Sequence, residues 1–194
     1  MATTIPLFPL NTVLFPEGVL PLRIFERRYL DLISDCLKQD TGFGVCLIRR
    51  GKEVGDAPEI FKVGTYCKIV DWDRGEDGLL GITTQGTRRF RVISRRLSPG
   101  GLLEADVEWL DDDECSEITP EHDMLADILK KLADKYFPQY SADPDQFDDA
   151  LWLGYRLSEC LPLHNAQKQT LLEVDDPGLR LDYLRSLFST KEDE

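Results

Sequence analysis

His122 and His164 are the only imidazoles in the 194-residue sequence. A Ser–His or Cys–His nucleophile therefore has two possible bases at most. Each lies beside helix-start residues, the ordinary setting of a surface histidine near a helix terminus. No GxSxG, HExxH or GxxxxGK[ST] pattern occurs, and Gly51-Lys52-Glu53 opens no phosphate loop. Asp71-Trp72-Asp73-Arg74-Gly75-Glu76-Asp77-Gly78 invites comparison with a calcium loop. Glu76 stands where the turn glycine belongs, and Ile82 where the twelfth-position glutamate does, so the segment reads as a polar hairpin tip. No catalytic constellation, metal site or cofactor is expected. A cryptic hydrolase would need a site assembled without any local motif.

The densest positive cluster is Arg88-Arg89-Phe90-Arg91, continuing to Arg95-Arg96. With Phe90 as a stacking face it could touch RNA or an acidic partner. Alternation places Phe90 and Val92 on the apolar side of a strand, so these arginines read as its solvated face. The proline-studded run Ile5-Pro6-Leu7-Phe8-Pro9-Leu10, then Val13-Leu14-Phe15-Pro16, could catch apolar peptide. Packed inward, it is a barrel lid or sheet edge, which suits both its prolines and its large apolar side chains.

The elements positioning these residues fall into two groups. Up to residue 110 the period is that of strands: Leu103, Ala105, Val107 and Trp109 alternate with Glu104, Asp106 and Glu108, and 87–95 alternate likewise. Phe43–Ile48, Tyr66–Trp72 and Leu79–Thr84 are further strands, with an Asp77-Gly78 hairpin turn between the last two. One helix spans 26–39, its face formed by Phe25, Tyr29, Ile33, Cys36 and Leu37. Beyond 117 the period becomes helical. Thr119-Pro120, Asp143-Pro144 and Asp176-Pro177 each join a capping side chain to a proline that has no N–H to lose at a first helical position. With 165–173 they predict a four-helix appendage.

Charge follows the same division. Residues 1–110 hold 15 Lys and Arg and 15 Asp and Glu, whereas 111–194 hold 8 and 21, so the net charge of −13 belongs to the second part. We therefore expect a β-rich pseudo-barrel at 1–113, an acidic junction at 111–116 containing Asp111-Asp112-Asp113-Glu114, and an acidic helical bundle at 117–194. The overall acidity opposes general affinity for nucleic acid or anionic membrane. No apolar run approaches 18 residues, and prolines interrupt the apolar N-terminus, so neither a membrane span nor a signal peptide is expected. Cys36, Cys46, Cys67, Cys115 and Cys160 are odd in number and widely spaced, which suits free thiols in a reducing cytoplasm.

Pro6-Leu7-Phe8-Pro9-Leu10-Asn11-Thr12-Val13-Leu14-Phe15-Pro16, then Leu20-Pro21-Leu22-Arg23-Ile24-Phe25-Glu26 and Tyr29, closely resemble the opening of the Lon protease N-terminal, substrate-binding domain. Phe43-Gly44-Val45, Val63-Gly64-Thr65, Asp77-Gly78, Gly86 with Arg88-Arg89-Phe90, Lys168-Gln169 and Leu171-Leu172-Glu173 are similar to that family too. The resemblance implies an α+β fold: a PUA-like β pseudo-barrel followed by a C-terminal helical bundle. It also implies a role in recognising unfolded or damaged polypeptide, or a proteolytic partner, and in supporting oligomer assembly. The ATPase and Ser–Lys protease modules of full Lon enzymes have no counterpart in these residues. A label such as peptidase S16 or ATP-dependent protease would thus express kinship, and the chain looks like a free-standing, non-enzymatic binding module. Phe15, Tyr66 and Trp72 are candidate peptide anchors. Arg88, Arg89, Arg91 and Arg95 would serve the alternative, an RNA-associated PUA-like module.

Overall fold

In the computed structural model the N-terminal strand is β1 (Thr3–Leu10), an unexpected place for two prolines. It pairs antiparallel to β7 (Leu103–Trp109) over Thr3–Leu7 and parallel to β3 (Gly42–Arg50) over Leu7–Leu10. It is therefore no sheet edge as a whole. Pro6 falls where only β7 pairs and Pro9 where only β3 pairs, so each sits where the strand is locally one-sided, the setting in which a missing N–H is tolerated. The structure describes residues 3–54, 57–111, 117–137, 140 and 143–189. The chain divides into two compact units, Met1–Asp111 and Asp112–Glu194. Most of the acidic stretch at 111–116, with Cys115, lies outside the described residues.

In the first unit, β2 (Val19–Ile24), α1 (Arg27–Gln39), β4 (Glu59–Ile60), β5 (Val63–Arg74) and β6 (Leu80–Leu97) complete the set. The order β1-β7-β6-β5-β3 returns to β1, closing a barrel, while β4 adds to β3 and β2 to β6. The stretches 79–84 and 87–95, expected as separate strands, form the single 18-residue β6. It is long enough to pair with β2 over Leu80–Gln85 and with β7 over Phe90–Leu97, while β5 runs along Leu80–Arg91. Gly78 adopts φ +79° in the β5–β6 turn, which a side chain would oppose.

Both faces of the barrel wall are apolar. Phe8, Leu14, Ile24, Phe43, Val45 and Ile82 pack with α1 in one cluster; Ile5, Leu7, Cys46, Phe90, Val92 and Val107 form another. Gly44 and Gly64 lie under the Phe90 ring, and a Cβ at either would collide with it. On α1 the buried stripe is Tyr29, Leu32, Ile33 and Cys36. Phe25 and Leu37, expected in it, are exposed, because the helix begins only at Arg27 and its stripe runs through Leu32.

The second unit contains α2 (Asp123–Tyr136), α3 (Ala150–Cys160), α4 (Asn165–Glu173) and α5 (Pro177–Ser189). Two proline starts open 3-10 turns, Pro120–His122 and Pro144–Asp148, ahead of the α-helices. Thr119 makes no side-chain cap bond, whereas Asp143 accepts from the Asp145 amide and Asp176 from the Leu179 amide at 2.7 Å. The cap of α3 is Asp149, whose carboxylate accepts from Leu151 and Trp152. Eight of the eleven α3 residues are buried, making it the centre of the bundle.

Candidate functional site

A cleft of about 660 Å³ opens between α1 and the strand surface of the first unit. Strand register creates it. A bulge between Val92 and Ser94 slips β6 by one residue against β7, setting Phe90 opposite Trp109. Across the other side of β6, Tyr66 stands opposite Arg88. Tyr66, Arg88 and Trp109 thus converge: the Tyr66 and Trp109 rings meet edge-on at 5.4 Å, and the Arg88 guanidinium lies 3.6 Å over the Trp109 indole. The Tyr66 hydroxyl is fixed by the Gly42 amide, which donates to it at 2.6 Å. From α1 come Leu32 and Cys36; Ile5 and Leu102 extend the apolar floor. Apolar walls with a few fixed polar groups, at this size, are the usual anatomy of a binding cleft.

Most charges lining the cleft lie within 4 Å of an opposite charge, although Arg28 Nε and Nη2 are buried with no hydrogen-bond partner among the described residues. Arg28 meets Glu26 at 2.9 Å and donates to the Gly101 carbonyl. Asp31, Asp35 and Glu104 have Arg27, Lys38 and Arg96 nearby, at 3.8, 3.9 and 3.1 Å. Arg88 alone of these lining charges has no carboxylate partner among the described residues. Burial pushes the Cys36 thiol above its ordinary pKa and those of Cys46 and Cys67 up to about 12, leaving no thiolate nucleophile at these positions at neutral pH.

The residues singled out from sequence do not share one surface. Phe15 is 0% exposed, so it is core and no ligand reaches it; the apolar N-terminal run is packed inward, with Phe8, Leu10 and Leu14 also buried. Trp72 is 60% exposed and lines a separate cleft of about 560 Å³ with Pro21 and Arg23. Arg89, expected on the solvated face, is 0% exposed. It stands opposite Thr65, a buried residue whose hydroxyl donates to the Leu14 carbonyl at 2.5 Å. The alternation was sound, but both faces of this wall are covered. Arg91 lies 3.9 Å from Glu108, and Arg95 donates to the Pro58 carbonyl beside a third cleft. Trp109 was visible only as one more apolar position. The signal that could have found its role is the bulge at Ile93, which only the paired strands reveal.

His122 is likewise no surface residue: it is buried at 6% exposure, with Nδ1 3.2 Å from the Thr119 hydroxyl and Nε2 3.0 Å from Asp182. A hydroxyl, an imidazole and a carboxylate in line have the outline of a catalytic relay. Here the Asp182 carboxylate is shared with Arg185 at 3.2 Å, and Arg185 also binds Glu121 at 2.7 Å. The group therefore works as a clasp joining the start of α2 to α5.

Residues 4–189 match the family model of the ATP-dependent protease La (LON) substrate-binding domain. The chain belongs to this family. It is 30% identical over 197 residues to Lon protease 2 of Myxococcus xanthus, covering 96% of this chain and 24% of that protein. The chain thus spans about a quarter of the length of the curated relatives it matches. Among solved structures, the Lon N-terminal domain protein from Xanthomonas campestris superposes with a TM-score of 0.80 at 41% identity, covering 95% of this chain and 98% of that one. The N-terminal domain of the Mycobacterium avium complex Lon protease shares the fold, with a TM-score of 0.67 at 21% identity, covering 96% and 98%. The α+β class and the pseudo-barrel with its helical bundle are those of Lon N-terminal domains. The match covers nearly the whole chain, and no described helix is long and apolar enough to cross a membrane.

Proposed function

We propose that this chain is a non-enzymatic polypeptide-binding module, acting in protein quality control or proteolysis in a reducing cytoplasm. It recognises unfolded or damaged chains, or docks a proteolytic partner. The observation that carries this reading is the cleft whose wall is the Tyr66–Arg88–Trp109 cluster, in a domain of the Lon substrate-binding family. Aromatic rings and a fixed guanidinium, lined by strand β1, suit an extended peptide: the rings take an apolar side chain and the cation orients it. Trp72 marks a second contact for a longer client.

The test is binding of a reduced, iodoacetamide-alkylated protein against its native form, read by fluorescence anisotropy. Selective binding of the unfolded form, weakened at least about tenfold by Trp109→Ala, is expected; equal binding of both forms, or of neither, overturns the reading. Purified protein should neither cleave the bound chain nor hydrolyse ATP. In a gel shift at low salt, RNA retained and then lost on charge reversal at Arg91 and Arg95 would favour the RNA-associated alternative.

A further inference from the structure

Within the cleft, the charge inventory is uneven in an informative way. Every lining carboxylate is engaged by a basic side chain, Arg28 is engaged by Glu26, and Arg88 is engaged only by an aromatic face. Stacking at 3.6 Å holds the guanidinium plane against the Trp109 indole and leaves its N–H edge for a ligand. A planar fork held in this way loses little side-chain entropy on binding and matches a carboxylate with two parallel hydrogen bonds. Each acidic residue at the rim has a basic neighbour within 4 Å, which reduces its opposition to this attraction.

We propose that Arg88 is a specificity-determining residue that selects polypeptide segments carrying an internal Asp or Glu beside an apolar side chain. The carboxylate docks on the Arg88 fork, while the neighbouring apolar group lies on Tyr66, Leu32 and Leu102. An internal side chain is favoured over a chain terminus because terminal carboxylates are ordinarily captured by backbone amides. Three amides around this cleft are already committed: Gly101 N–H donates to the Ser98 carbonyl, Leu102 N–H to the Ser98 hydroxyl, and Gly42 N–H to Tyr66. Of the two guanidiniums that line the cleft, Arg88 is the exposed one. This inference rests on the polypeptide-binding reading and adds the chemical class of segment recognised.

The experiment uses the whole chain and labelled, C-terminally amidated peptides that differ only in a central Glu or Gln, read by anisotropy. Wild type is expected to bind the Glu peptide at least about tenfold more tightly, the worth of one charge-assisted hydrogen bond. Arg88→Gln should erase that preference, so that the variant binds the Glu and Gln peptides with equal affinity. Arg88→Lys should restore only part of it, since an ammonium keeps the charge without the fork. Arg88 is exposed, so these variants should fold, and circular dichroism checks that they do. Equal affinity for the two peptides, or a preference that survives Arg88→Gln, overturns the proposal. So does tighter binding of a Gln peptide with a free C-terminal carboxylate, or displacement of the Glu peptide by an oligonucleotide of matched charge. An alkylated unfolded protein separates the two levels of inference. Bound by wild type while the Glu preference is absent, it sinks only the carboxylate rule; not bound by wild type, it sinks polypeptide binding as well.

Discussion

The two units use the same pair of groups, a guanidinium over an aromatic ring, for opposite ends. In the bundle Arg180 lies 4.2 Å over Tyr155 and is wholly buried. It donates to the Leu171 carbonyl at 3.0 Å and to the Val174 carbonyl, at the end of α4 where backbone carbonyls lack helical donors. In the barrel Arg88 lies over Trp109 at the mouth of a cleft and is exposed. The stacking is similar; burial and carbonyl acceptors differ. A cation–aromatic pair closed by backbone acceptors holds a fold together, and one left open at a cleft is available to a ligand. The acidic unit therefore contains positive charge where structure requires it, and the charge-balanced unit displays one cation where recognition would use it.

The contrast is sharpest when each stack is undermined. Behind the barrel stack, Phe90 is fully buried, fills the space over Gly44 and Gly64, and meets Trp109 edge-on at 6.4 Å. Phe90→Ala should cost about 3–5 kcal/mol, the combined loss of apolar transfer and of the cavity left behind, read as a fall in the urea midpoint. Arg180→Met keeps most of the volume but removes the donors to the Leu171 and Val174 carbonyls, for an expected cost of about 2–4 kcal/mol. Arg88→Gln, by comparison, should move stability by no more than about 0.5 kcal/mol while removing the preference for acidic peptide. If Arg88→Gln destabilised as much as Arg180→Met, the division between a structural and a recognition cation would collapse. Below these stands Asp149→Ala, which removes the two bonds capping α3 and should cost about 1 kcal/mol. The bundle would then melt earlier with the acidic-peptide preference of the barrel intact.

What was legible beforehand was whatever depends on local chemistry. Proline after a capping residue marked the bundle's turns, Asp77-Gly78 the long hairpin, and strict alternation β7. The family followed from the Pro-Leu-Phe-Pro-Leu opening. What stayed hidden depends on register and on closure. An alternating Arg89-Phe90-Arg91 reads as one wet and one dry face, and only a closed barrel with both sides covered buries Arg89 and Phe90 together. The Arg88–Trp109 stack depends on one extra residue, Ile93, in the β6–β7 ladder, since without that slip Phe90 would not face Trp109. His122 was misjudged for a related reason: its partner Asp182 is 60 residues away, on a helix whose docking no local pattern encodes.

The smallest predicted effect lies on the outer side of β7, where Asp106 gathers three neighbours. Its carboxylate accepts from the Thr4 hydroxyl at 2.6 Å, the Ser94 hydroxyl at 2.7 Å and Arg96 at 3.3 Å, joining β1, β6 and β7. Those hydrogen bonds, Thr4 foremost, hold its pKa below the ordinary carboxylate value. In the folded barrel Asp106 thus binds its proton less readily than in the unfolded chain. Its contribution is present above the unfolded carboxylate pKa and is lost as the pH falls through the lower, folded value. Asp106→Asn should accordingly be less stable than wild type near pH 6, and the gap should begin to narrow once the pH falls below the unfolded carboxylate pKa and close through the lower, folded value. Urea midpoints across that range decide it. A gap that stayed constant would mean that Asn fails here on geometry alone, and a gap that widened in acid would reverse the sign argued from the three donors. Arg88→Gln, measured over the same range, should show no such slope of its own, because a guanidinium stays charged throughout.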